Sequence, residues 1–210
     1  HDIIRTMAGD VEIVVRRSVA QSLRLSKHLP RDVAMKLAQD VEAVALPILT
    51  DAIVFTDEDL VELLQKNSEV KQKAIAMRPN LSETVSDAVI TVANENVVSA
   101  LMGNKTAKIT DTSFTKAIER FNESALVQES MIKRPVLPVS IADKLATLVS
   151  DKLQDYLVAH HKMSEGITKE VMAQSRERSI IQLSANQGPE EIEKLVAQLA
   201  QTKRLTASLS

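Results

Sequence analysis

Cysteine and tryptophan are absent from the 210 residues, and aromatics make up only 2%, three Phe and one Tyr. Without cysteine there are no disulfides, no thiolate zinc sites and no cysteine nucleophile, a composition that suits a reducing compartment. Without large rings the core has to be built from Leu, Val, Ile, Ala and Met, which suits stacked helices. Glycine (4) and proline (6) are scarce, which argues against long disordered tracts. No apolar run reaches the roughly 20 residues of a membrane span. Neither charge is in excess: the formal balance is −2 and the pI about 6.1. The whole-chain field therefore favours neither a polyanion nor an anionic membrane. The opening HDIIRTMAGD reads as neither a signal peptide nor a natural start, so a longer parent chain is expected.

What is present is 44% hydrophobic and 26% charged, enough to bury a sizeable core. Its organising feature is a phrase. Arg78 to Val89 reads RPNLSETVSDAV, and Arg134 to Leu145 reads RPVLPVSIADKL. Aligning the chain on one apolar residue followed by a helix-start residue gives five anchors: Leu29-Pro30, Phe55-Thr56, Leu81-Ser82, Ile109-Thr110 and Leu137-Pro138. Their separations are 26, 26, 28 and 28 residues. A period this regular is the mark of repeated supersecondary units.

Each anchor is followed by apolar pairs four apart: Val33 and Leu37, Leu60 and Leu64, Val85 and Val89, Phe114 and Ile118, Ile141 and Leu145. That spacing places each pair on one helix face. Thr56 and Thr110, followed by acids, supply cap oxygens and negative charge at the starts. Pro30 and Pro138 are tolerated in a first turn. A second helix follows in each unit, opened by Asp10, Asp40, Asn67, Asn94 or Asn122, which are expected to cap it. It closes at proline after Arg78 and Arg134, and at Gly103-Asn104, where a left-handed residue is expected. Pro47 is expected to kink its helix or lie in its first turn.

Residues 140–160 read as one longer helix, 167–185 as an amphipathic helix, and Glu190 to Leu205 as a last one behind Gly188-Pro189. No segment alternates like a strand. The pattern predicts an all-α fold: a right-handed α-solenoid of HEAT-like helix–turn–helix repeats over residues 1–160, with a helical hairpin or cap over 161–210.

The opening Asp10 to Val15 and Arg16 resembles a HEAT-type repeat. Later units keep Asp or Asn and Val but lose the Arg. DVEAVALPILTDAIVFTDEDLVELL, IAMRPNLSETVSDAV and VVSALMGNKTAKIT together resemble an uncharacterised alphaproteobacterial family, the domain of unknown function 2336, over roughly residues 10 to 160. The resemblance implies a HEAT-like α-solenoid of unknown activity and brings no catalytic residues.

Candidate chemistry is thin. His160-His161 are adjacent, so on a helix they point about 100° apart and do not converge on one ion. Thr56-Asp57-Glu58-Asp59 lacks the Gly and closing Glu of an EF-hand and is explained by a helix start. No GxSxG, Walker or GxGxxG pattern occurs. Arg78, Asn104 and Arg134 share one predicted edge. They either grip a carboxylate or phosphate of a partner or bind the last carbonyls of their own helices.

The expected function is a non-enzymatic, cytoplasmic scaffold for a protein or peptide partner. It calls for no cofactor, metal, nucleic acid or membrane. Two other readings stand beside it. One is a HEAT-like nucleic-acid or DNA-repair protein, disfavoured by charge and by the dearth of aromatics. The other is a regulatory module that oligomerises through its C-terminal helices.

Overall fold

The computed structural model describes residues 2–10, 12–138 and 140–149. All regular structure among them is helical. The elements are α1 Asp2–Met7, α2 Ile13–Leu23, α3 Arg31–Gln39, α4 Glu42–Asp51, α5 Asp57–Lys66, α6 Glu69–Ala76, α7 Glu83–Val92, α8 Glu95–Gly103, α9 Asp111–Arg120 and α10 Ala125–Ile132. An eleventh, α11, occupies 140–149. None is long and apolar enough to cross a membrane. The expected helices beyond 149, the boundary at 160, and His160-His161 lie outside the described residues.

The anchors do what the period requires. Leu29, Leu81 and Leu137 are buried at the mouths of α3, α7 and α11, while Phe55 and Ile109 pack against the core half-buried. Both members of every apolar pair that follows an anchor are buried. The second helices bury a face of the same kind, for instance Val44, Ala45, Ile48 and Leu49 in α4, and Val97, Val98, Leu101 and Met102 in α8.

These faces set the packing. The second helices pack in succession, α2 on α4, α4 on α6, α6 on α8 and α8 on α10. The first helices follow in a parallel row, α3 on α5, α5 on α7 and α7 on α9, and Lys144 of α11 reaches Thr115 of α9. Within a unit α3 packs on α4, α5 on α6 and α7 on α8. The core is thus one apolar seam between two rows of short helices. Side-chain bonds joining one unit to the next span 24 to 32 residues, so they sit close to the period read from the anchors.

Helix starts follow the expected chemistry in part. Ser82, Asn94, Thr110 and Ser124 each accept from the backbone N–H three residues on, and Thr56 forms a capping box with Asp59. Pro30 lies at the cap, one residue before the first turn of α3. Pro47 is inside α4, in its second turn, with helix on both sides.

Two local expectations are corrected. Of the five Asx residues expected to cap second helices, only Asn94 does; the caps of α2, α4, α6 and α10 are Glu12, Val41, Ser68 and Ser124. Asp40 and Asn67 instead close the preceding helices, because other groups claim their side chains: Arg16 holds Asp40, and Asn67 donates to Leu63 O at 2.7 Å. Gly103 stays helical, and Asn104 has φ −77°. The left-handed residue is Asn80, φ 53°, whose type tolerates that region. It lets the chain turn after Pro79, so that Asn80 N–H reaches Thr106 Oγ1 and Lys108 N–H reaches Leu81 O in the next loop.

Candidate binding surface

Arg78, Asn104 and Arg134 do fall along one edge, and they form consecutive rungs. The Arg134 guanidinium donates to the carbonyls of Met102 (2.9 Å), Asn104 (3.0 Å) and Ala107 (3.0 Å). The Asn104 amide donates to Ala76 O (3.0 Å) and Arg78 O (2.7 Å). The Arg78 guanidinium donates to Leu49 O and Ala52 O. Each side chain therefore holds the end of the second helix one unit back, whereas the sequence pointed to its own helix or to a partner. Carbonyls at a helix end have no partner within the helix, and a planar fork of N–H donors satisfies two of them at once.

The rungs are packed as well as bonded. Arg78 lies 5.9 Å above the Phe55 ring and Arg134 5.7 Å above Phe114, a contact that favours the cation at the ring face. Burial pushes both guanidinium pKa values below the ordinary one, partly countered at Arg78 by Asp51; both residues stay charged.

Charged side chains join the units elsewhere. Arg16 bonds Asp40 Oδ1 at 2.9 Å and Asp10 O at 2.7 Å. Lys71, buried, donates to Asp40 O (2.6 Å) and Asn67 Oδ1 (3.1 Å). Arg31 bonds Asp59 at 2.8 Å, tying α3 to the capping box of α5. The Arg16 and Arg31 hydrogen bonds hold the Asp40 and Asp59 carboxyls below their usual range. Burial raises the Asp87 carboxyl, but bonds from Ser113 and Lys116 outweigh it and its net shift is downward. The acidic run at Thr56 to Asp59 is thus used in capping and in joining units. No group of three or more His, Asp or Glu among the described residues is placed to hold a metal.

The surface that sequence reasoning missed is a groove of about 800 Å³ across α6, α8 and α10. Its floor is the outward face of α8: Asn96, Ser99, Ala100 and Gly103, at the i, i+3, i+4, i+7 spacing of one helix face. Glu69, Lys73 and Met77 form the α6 wall, and Leu126 stands on α10. The groove exists because the middle helix presents small residues and its neighbours large ones. A Cβ built on Gly103 would meet nothing within 4 Å. Asn104 and Lys105 close one end, so one of the three edge residues also borders the groove. The signal was present in the sequence as four small residues on one face, but it was read only as helix. A second depression of about 390 Å³ lies between α9 and α11, lined by Thr115, Ile118 and Glu119 and by Asp143, Lys144, Thr147 and Leu148.

No curated protein and no solved structure matched the chain. A family match does exist, described as an uncharacterised protein conserved in bacteria, the domain of unknown function 2336. It starts later and runs further than the stretch that carried the resemblance, covering residues 44–209 and crossing position 160 without a break. The groove of α6, α8 and α10 lies inside it. With more than three quarters of its length matched, the chain belongs to this bacterial family.

Proposed function

We propose that the chain is a right-handed α-solenoid of HEAT-like repeats that serves as a non-enzymatic scaffold, holding a protein or peptide partner along the row of second helices. The two rows of short helices and the unit-to-unit bonding support the solenoid reading. One observation carries the functional reading: exposed large apolar side chains recur on the second-helix row. Val14 of α2, Val70 and Met77 at α6, and Leu126 and Ile132 of α10 are 73, 46, 57, 45 and 41% exposed, against two on the first row, Val92 of α7 and Val149 of α11, at 40 and 45%. Apolar groups that cluster on one face, beside a groove, mark an interaction surface. A long surface of stacked helix pairs is how solenoids engage partners.

The reading is tested with a photo-crosslinking residue placed at Ala100 on the groove floor, and at Glu62 on the first row as control. In bacterial lysate a discrete protein adduct is expected from position 100 and not from 62. It should disappear when Met77→Glu and Leu126→Glu are added. Equal labelling at the two positions, or an adduct indifferent to those substitutions, would overturn the scaffold role of this row.

A further inference from the structure

We propose that the groove across α6, α8 and α10 takes an acidic amphipathic helix of another protein; this rests on the scaffold reading and adds the chemistry of the partner. The groove's shape suits a helix. It opens to solvent, and its nine-residue floor helix is about 14 Å long. A partner helix of two to three turns could lie along it. Such a helix presents apolar residues at i, i+3, i+4 and i+7. Met77 and Leu126 are the exposed walls for that stripe, and Ala100 and Gly103 give it room.

The charge of the groove chooses among partner helices. Its one lining carboxylate, Glu69, has an amide on each oxygen: Asn94 Nδ2 at 2.7 Å and Asn96 Nδ2 at 2.9 Å. On the neighbouring α10 face Glu129 is paired with Lys133 at 3.3 Å. Lys73 and Lys105 are both exposed and have no ion pair among the described residues. They lie in the last turn of α6 and just past α8. The lining thus sets two ammonium groups against one carboxylate, a formal +1, and the carbonyls at the α8 end are already met by the Arg134 guanidinium. The groove is therefore left locally positive in a chain whose formal charge is −2. A basic helix would be repelled there, and a neutral one would gain nothing from the two ammonium groups. An acidic one satisfies both the floor and the rim.

The test uses the full chain and a phage-displayed library of random 16-residue peptides, selected on the wild type, each enriched peptide then being assayed for binding to Met77→Ala. Enriched peptides are expected to carry a helical apolar stripe and an excess of Asp and Glu. By fluorescence anisotropy, the Lys73→Glu, Lys105→Glu double variant should bind the best of them about tenfold more weakly, with its circular dichroism and melting unchanged. Peptides that need Met77 but show no acidic bias would overturn the acidic partner and leave the scaffold reading standing. Peptides indifferent to Met77 would overturn both. A dimer seen by light scattering and dissolved by Met77→Glu would make a second copy the occupant and equally overturn the proposal.

Discussion

Arg78 illustrates how a side chain that looks free in sequence becomes structural in the fold. Its fork holds Leu49 O and Ala52 O and lies over Phe55. Removing it strands two carbonyls at a half-buried helix end and vacates packed volume. Arg78→Ala is expected to cost about 2–4 kcal/mol in urea denaturation. Arg78→Lys should recover less than half, because one ammonium cannot span both carbonyls in the geometry of a guanidinium. Capture of the partner at the groove should be unchanged per folded molecule. The recurrence of Arg78 as Arg134, with Asn104 between them, was legible from the period. Their acceptors were not, since the carbonyls belong to residues 26 to 32 positions back and only the stacking brings them within reach.

At the scale of the element, the helices are short, and their ends carry much of the specification. Ser82 and Asn94 accept from Val85 N–H and Val97 N–H, each at 3.2 Å. Ser82→Ala and Asn94→Ala are each expected to lower stability by about 1 kcal/mol. Ser68 sits at the cap of α6 without a capping bond, and Ser68→Ala should cost only a few tenths; thermal melting of the three variants separates the cases. First-helix starts were readable because a single Ser, Thr or Pro follows each apolar anchor. Second-helix starts were not, because two or three candidates stand within a turn, as in Asn67-Ser68 and Asn122-Glu123-Ser124. Which one caps depends on which is already engaged elsewhere: Asn67 is taken by Leu63 O and Lys71, leaving Ser68 at the boundary.

At the scale of the molecule, successive units are joined by carboxylates as well as by the apolar seam. Asp40, Asp59 and Asp87 are each bonded to a cationic side chain of another unit, and each has its pKa lowered. A carboxyl held below its unfolded value, about 3.9, contributes stability that is whole above that value. The contribution is lost as pH falls through the folded value. The urea midpoint is therefore expected to drop steeply below about pH 4, and Asp40→Asn should show a smaller drop than the wild type. An equal acid response in that variant would mean that the Arg16–Asp40 pair is not part of what fails.

The sequence by itself determined that the chain is helical, where the units begin, and which residues enter the core. Those properties depend on periods of four and of 26 to 28 residues, and periodicity is a one-dimensional quantity. It also carried the family resemblance, because that rests on strings of residues. Only the tertiary structure decided what the polar side chains do and where a partner could bind. A hydrogen bond needs two groups within about 3 Å, and a groove needs small residues on one helix beside large ones on its neighbours. Neither condition can be evaluated until residues a full unit apart are set side by side. Ala100 and Gly103 are unremarkable along the chain; they become a groove floor only between Met77 and Leu126.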